Sequence, residues 1–170
     1  MTQTPTSKPC SESRVFQTNR VLPPDTNNHQ TLFGGKLMAS IDIVASISAS
    51  KHCRSECVTA SMDSVDFLHP IRPTDAVHLE SFVTYTGRTS VEVFVKVTAE
   101  DLLSGESKVA ATSFITFVSL NEQGKPSIVP AVSPETEEEI YLFEGGEERS
   151  KLRKARRKTS IFFAEKIKKY

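Results

Sequence analysis

Hydrophobic and polar positions change their period along this chain, and the changes divide it into elements. From Gly35 to about Lys51, Leu37, Met38, Ala39, Ile41, Ile43, Val44, Ala45, Ile47 and Ala49 are apolar, with small serines filling most gaps. That predicts a helix buried on most of its circumference. Beyond it the period falls to two: Val77, Leu79, Ser81, Val83 and Tyr85 alternate with His78, Glu80, Phe82 and Thr84. Val91, Val93, Val95 and Val97 likewise share a face opposite Glu92, Phe94, Lys96 and Thr98, as in half-buried pleats. Val58 to Leu68 and Val109 to Leu120 read as two more strands, with turns at Gly87 and Ser104-Gly105. A first short strand is expected within Arg14 to Leu22, stopped by Pro23-Pro24, which have no N–H to give a ladder. One helix and about five strands make an α+β fold, an antiparallel sheet wrapped around a long helix.

The ends lack this order. Residues 1–13 mix Thr, Pro, Ser and Lys without periodicity and are expected to form a flexible arm. The folded domain is expected over 14–132. From 133 to 170 acids crowd Glu135 to Glu148 and bases crowd Arg149 to Lys158 and Lys166 to Lys169. This reads as a charged helical appendage, with Ile161, Phe162, Phe163 and Ile167 as its apolar side. Lys+Arg and Asp+Glu both number 21, for a formal net charge of zero, so overall charge favours neither nucleic acid nor membrane as partner. Three cysteines, an odd number, and no charged-then-apolar leader point away from a disulfide framework and towards a cytoplasmic protein with reduced thiols. No stretch reaches the ~20 apolar residues of a membrane span.

Asp42 stands out because it interrupts the most apolar helix, with Met38, Ala39, Ala45 and Ser46 as its helical neighbours and no charge among them. A carboxylate is costly to bury unpaired, and such residues concentrate at functional sites. Gly34-Gly35 opens the same helix. The pair is either a tight turn or a place where unpaired first-turn N–H groups hold a developing oxyanion. Gly35 and Asp42 lie about two turns apart, roughly 10 Å along the axis. A carboxylate cannot span that, so joint action on one carbonyl requires the acid from a second copy, in a two-fold dimer. Asn27, among turn-forming neighbours, is not singled out by spacing. His52, Cys53 and Cys57 lack the regular spacing of a metal site, and no metal is expected.

An ordered set of short runs carries a resemblance: Leu22-Pro23-Pro24-Asp25-Thr26-Asn27, Phe33-Gly34-Gly35-Lys36-Leu37-Met38, Ile41-Asp42, Val65-Asp66-Phe67 with Pro70-Ile71, Tyr85-Thr86-Gly87-Arg88-Thr89-Ser90, and Phe117-Val118. Over about residues 14 to 130 the chain resembles the acyl-CoA hydrolase family of hotdog-fold thioesterases, which includes the bacterial YciA proteins and the brain-type acyl-CoA hydrolases. The resemblance implies a five-stranded antiparallel sheet curled around the helix. It also implies dimers joined sheet edge to sheet edge, and a hexamer of three dimers. The family's catalytic aspartate falls on Asp42 and its loop asparagine on Asn27, and the hydroxyl that some hotdog thioesterases of other subfamilies carry one turn beyond the acid falls on Ser46. Acyl-CoA is then the expected substrate, with Gly34 and Gly35 as the oxyanion hole and no cofactor beyond the CoA of the substrate itself.

For CoA, the candidate contact is Gly87-Arg88-Thr89-Ser90, which offers a guanidinium, hydroxyls and amides to phosphates. Taken alone that segment reads as a plain hairpin turn. The basic run Lys151 to Lys158 reads as a solvated helix face in preference to a phosphate contact. A non-catalytic module that senses acyl-CoA and regulates a partner would use the same fold. Asp42 and Asn27 favour turnover.

Overall fold

The chain enters the fold through β1 (Lys8–Pro9) and a single helical turn, α1 (Cys10–Ser13), and then runs into β2 (Val15–Arg20). The computed structural model describes residues 6–168, so residues 1–5 of the expected arm lie outside the described residues. Pro23–Asp25 form a 3-10 turn. Helix α2 (Gly34–Cys53) begins at the double glycine. It ends where Arg54 turns left-handed (φ 54°, ψ 37°) and donates its N–H to Ser50 O at 2.8 Å, one of the ways a last turn satisfies its carbonyls. Strands β3 (Glu56–Phe67), β4 (Asp75–Thr86), β5 (Ser90–Asp101) and β6 (Ser107–Leu120) follow, then β7 (Val132–Ser133), α3 (Glu137–Glu144) and α4 (Gly146–Ile167).

The main sheet has the order β2-β4-β5-β6-β3, every pair antiparallel, the five-stranded α+β plan that the alternation and the resemblance led us to expect. Helix α2 lies across one face. Its Leu37, Ile41, Val44, Ala45 and Ala49 are buried in one core with Leu79, Val83, Val93, Val95, Ile115 and Phe117. Each such large side chain contributes about 1.5–3 kcal/mol. Polar groups in this layer are paired: Ser48 and Ser81 hydroxyls meet at 2.7 Å, and Ser81 donates to Val44 O at 3.1 Å. Strand alternation puts Phe82, Phe94 and Phe114 on the other face, a cross-strand row with ring centroids 6.0 and 5.1 Å apart.

That second face is covered by the C-terminal helices: the charged tail is helical, as expected, but it docks through Arg149 while Ile161, Phe162, Phe163 and Ile167 stay exposed. Arg149 stacks over Phe114 at 4.2 Å and donates two hydrogen bonds to the buried Glu92 carboxylate, at 3.0 and 2.8 Å. Gly146 lies so close to Tyr85 that a Cβ there would meet the ring at 2.4 Å. Thr136 caps α3 through a reciprocal capping box with Glu139. Glu139, buried, also pairs with Arg14, whose guanidinium lies 3.9 Å above the Phe82 ring.

Two further expectations need correction. Residues 8–13 are not a flexible arm: β1 pairs with β7 in parallel, Cys10 is fully buried, Ser13 Oγ accepts from Val83 N at 2.9 Å, and Lys8 Nζ donates to His52 O at 2.7 Å. A few specific partners order a segment too polar to announce itself. Nor is α2 buried on most of its circumference within one chain. Met38, Ile43 and Ile47 are 38%, 56% and 43% exposed, because one sheet can cover only one side of a helix.

Candidate active site

Asp42 projects from α2 towards edge strand β3 and is half-buried. Its Oδ1 accepts a hydrogen bond from Thr59 Oγ1 at 2.9 Å. Thr59 sits beside a register shift in the β3–β6 ladder, and such bulges re-aim side chains. Sequence reasoning missed it. The signal was only a threonine early in an irregularly patterned strand, and the pairing that brings it to the helix is not local.

Asn27 and Gly34 form a second cluster. Both line a groove of about 320 Å³ together with Thr31, Leu37, Phe67 and His69. The Asn27 side chain organises its own loop: Nδ2 donates to Thr31 Oγ1 at 2.9 Å, and Oδ1 accepts from His29 N at 2.9 Å and Thr31 N at 3.2 Å. The loop is tied to the helix start by Phe33 N to Asp25 O at 2.8 Å and by the Lys36–Asp25 ion pair at 3.1 Å. Lys36 and Leu37 N–H both donate to Phe33 O. The amides of Gly34 and Gly35 precede them, so helix geometry gives these two no intrahelical acceptor.

The structure thus joins Asn27 with Gly34 and Asp42 with Thr59, as two separate clusters. Asp42 is not in the Asn27 groove, and the two turns of helix between Gly35 and Asp42 hold them roughly 10 Å apart. Ser46 is not brought to Asp42: its hydroxyl donates to Ile43 O at 2.7 Å, one turn back on its own helix.

The turn Gly87-Arg88-Thr89-Ser90 joins β4 to β5, and its backbone is largely committed. Gly87 N donates to Ser90 O at 2.8 Å, while Arg88 O and Thr89 O accept from Val129 N and Ser119 N at 3.1 and 3.0 Å. The expected free amide at Gly87 is therefore used within the turn. The Thr89 and Ser90 side chains open on a groove beneath α4, whereas Gly87 and Arg88 face solvent outside it.

No group of three or more His, Cys, Asp or Glu able to hold a metal ion occurs among the described residues. His52 is buried, with Nε2 3.0 Å from Pro130 O. A carbonyl can only accept, so Nε2 carries the hydrogen and burial lowers the pKa of the ring below its usual 6.5. The hydrogen bond that the Cys53 thiol donates to Cys57, and then burial, push the Cys53 thiol up. Burial raises Cys10 to about 12. None of these groups touches either cluster by a hydrogen bond. No helix among the described residues is long and apolar enough to cross a membrane.

The family model described as the thioesterase superfamily matches residues 29–106. A Bacillus subtilis (strain 168) protein named as an uncharacterized acyl-CoA thioester hydrolase, YkhA, is 60% identical over 158 residues, 93% of this chain and 92% of that protein. The crystallised acyl-CoA hydrolase from Staphylococcus aureus, in complex with butyryl coenzyme A, coenzyme A and coenzyme A disulfide, superposes with a TM-score of 0.91 at 43% identity, covering 95% of this chain and 98% of that one. A structure described as an apo-hexameric acyl-CoA thioesterase gives 0.87 at 51% identity, covering 89% and 97%. Three further structures of the Staphylococcus aureus hydrolase carry alanine for an asparagine, an aspartate and a threonine, whose spacing along that chain equals that of Asn27, Asp42 and Thr59 here.

Proposed function

Because this chain belongs to the acyl-CoA thioester hydrolases of the thioesterase superfamily, we propose that it cleaves acyl-CoA to free acid and CoA at a site completed by two copies. Asp42, positioned by Thr59, comes from one copy, and Asn27 with the amides of Gly34 and Gly35 comes from the other. The observation that carries this reading is the separation of the half-sites. Each holds part of a hydrolytic apparatus, and within one chain they lie about two helical turns apart.

In the proposed reaction Asp42 takes a proton from a water whose oxygen attacks the thioester carbonyl carbon. The resulting oxyanion accepts hydrogen bonds from the Gly34 and Gly35 amides, at the positive end of the α2 dipole. The carbon–sulfur bond then breaks and the thiolate takes the proton held by Asp42. Direct attack by Asp42, through an anhydride that water later opens, uses the same groups. Neither route requires a metal or a cofactor. Asn27 orients water or the carbonyl.

Association is supported by surface that one copy leaves open. The exposed face of α2 carries Met38, Ile43 and Ile47, and β3 is an edge strand with Val58 47% exposed and Phe67 52% exposed. Unpaired edges and apolar stripes are what an isologous two-fold contact covers. A dimer, with a hexamer as trimer of dimers, follows the hexameric relative. A cytoplasmic site of action fits acyl-CoA chemistry and free thiols.

The test is release of CoA thiol from an acyl-CoA panel by wild type and Asp42→Ala. Turnover by wild type with a loss of at least ~100-fold in the variant is expected. Absence of thiol release at every chain length would leave binding without turnover as the account.

A further inference from the structure

We propose that the α4 helices of two copies pack side by side, antiparallel, across the two-fold axis of the shared site, and hold that site together from the outer face of the sheet. This rests on the two-copy site proposed above and adds a contact that such a site does not by itself require.

Helix α4 crosses the sheet from β4 towards its β3 edge. Gly146 lies against Tyr85 of β4, Arg149 bonds Glu92 of β5, and Arg153 and Arg156 both reach Asp63 of β3. A helix rises ~1.5 Å per residue and strands stand ~4.8 Å apart, so about three residues pass each strand. The edge is therefore reached at Arg156. Every residue from Arg157 to Ile167 is exposed, and roughly 16 Å of helix continues past β3.

The axis falls at the same place. Thr59 holds Asp42, and Phe67 lies against Gly34, where a Cβ would meet its ring at 3.5 Å. To bring Asp42 of one copy to Gly34 of the other, β3 must pair antiparallel with its copy so that Thr59 stands opposite the partner's Phe67. The axis then passes near Asp63, midway between them in sequence. It stands perpendicular to the sheet, so both α4 helices lie on one face, run in opposite directions and meet where each crosses its edge.

The flank of α4 that faces this axis fits a second helix. Lys154 and Arg157 line the cavity towards Ser90, Val118 and Ala60, on the other side. The opposite flank carries Glu148, Leu152, Ala155, Thr159, Phe162 and Lys166, alternately four and three residues apart, the spacing of a helix–helix seam. Paired about Arg157, the seam sets Leu152 opposite the partner's Phe162, Ala155 opposite the partner's Thr159 and Glu148 opposite the partner's Lys166. Leu152 and Phe162 are 60% and 54% exposed in one chain, and neither Glu148 nor Lys166 has an ion pair among the described residues. The small central residues let the backbones approach. The cations nearest them, Arg153 and Arg156, are already met by Asp63 of their own chain.

The full chain carrying Leu152→Cys with Phe162→Cys, treated with a short bis-maleimide, tests the pairing. The two new thiols of one chain stand roughly 15 Å apart along the helix, beyond the reagent's reach, whereas those of paired chains are adjacent. A twice-linked covalent dimer is expected, and none from wild type or from Lys154→Cys with Ile161→Cys on the other flank. Glu148→Lys or Lys166→Glu alone should raise the dimer dissociation constant about tenfold, and the two together should restore it to within about twofold.

Three results overturn the proposal: no covalent dimer although the new thiols label with a mono-maleimide, equal yield from the other flank, or a ladder of species beyond the dimer, which marks a head-to-tail contact. Complementation between Asp42→Ala and Asn27→Ala chains reports on the shared site without involving α4. Activity that returns while no link forms refutes the helix pair alone, and activity that does not return refutes the axis on which the pair stands.

Discussion

Thr59, on the edge strand, donates its hydroxyl to the carboxylate of Asp42 at 2.9 Å, and this pair fixes where the acid of α2 points. The donor holds one carboxylate oxygen, and in the proposed reaction the other takes the proton of the attacking water. Thr59→Val should therefore lower kcat by roughly tenfold, with little change in KM. Thr59→Ser, which keeps the hydroxyl, should recover most of it. Steady-state kinetics on the two variants distinguishes this positioning role from a structural one, because a packing role would be rescued by Val rather than by Ser.

The covering of the outer sheet face rests on Arg149, whose partner Glu92 is 2% exposed. Truncating Arg149→Ala leaves that carboxylate buried and unpaired, at a cost of about 3–5 kcal/mol. Thermal or urea unfolding should show the loss. Glu92→Gln combined with Arg149→Met should be less destabilised than Arg149→Ala alone, since it removes the stranded charge.

Acid should unfold the protein in two windows. Burial lowers the folded-state pKa of His52 below 6.5, so the unfolded chain binds a proton first, and stability declines as pH falls below about 6.5. Burial raises Glu139, but the amides of Glu135 and Thr136 and the Arg14 guanidinium outweigh it and hold the carboxyl below 4.5. Its contribution is present above that value and lost as pH falls further. Midpoints of thermal unfolding from pH 8 to about 2.5 should fall in both ranges, and His52→Gln should flatten the upper one.

Much of the frame was legible in local pattern. The apolar run gave α2 to within two residues at either end, and period-two alternation gave β4 and β5 their faces. Asp42 was legible because a charge in an apolar helix is conspicuous whatever surrounds it. Thr59 was not, because its meaning lies in a contact across 17 positions. Ser46 stands one helical turn beyond Asp42, as the spacing gives, and its hydroxyl bonds to Ile43 O, a choice that spacing does not reveal. The docking of Arg149 on Glu92 and the burial of Cys10 were invisible for the same reason as Thr59: each segment looks polar until its distant partner is known.

The exposed stripe on α2 bears on assembly. Met38 is 38% exposed in one chain, and it lies midway between Gly35 and Asp42 on their helix face, so a two-fold pairing that brings Asp42 to the partner's Gly35 sets it at the helix–helix contact. Met38→Glu should dissociate the dimer, seen by light scattering, and abolish turnover while leaving the far-ultraviolet circular dichroism unchanged. Activity retained by a monomeric variant would contradict a site shared between copies.

Complementation tests that sharing most directly. Asp42→Ala and Asn27→Ala, each inactive alone, are co-expressed so that their chains pair at random. Half the dimers are then mixed, and each mixed dimer has one site with both Asp42 and Asn27 intact, so roughly one quarter of wild-type activity should return. If the mixture stays as inactive as its parents although mixed dimers form, both residues act within a single chain and the two-copy site is wrong.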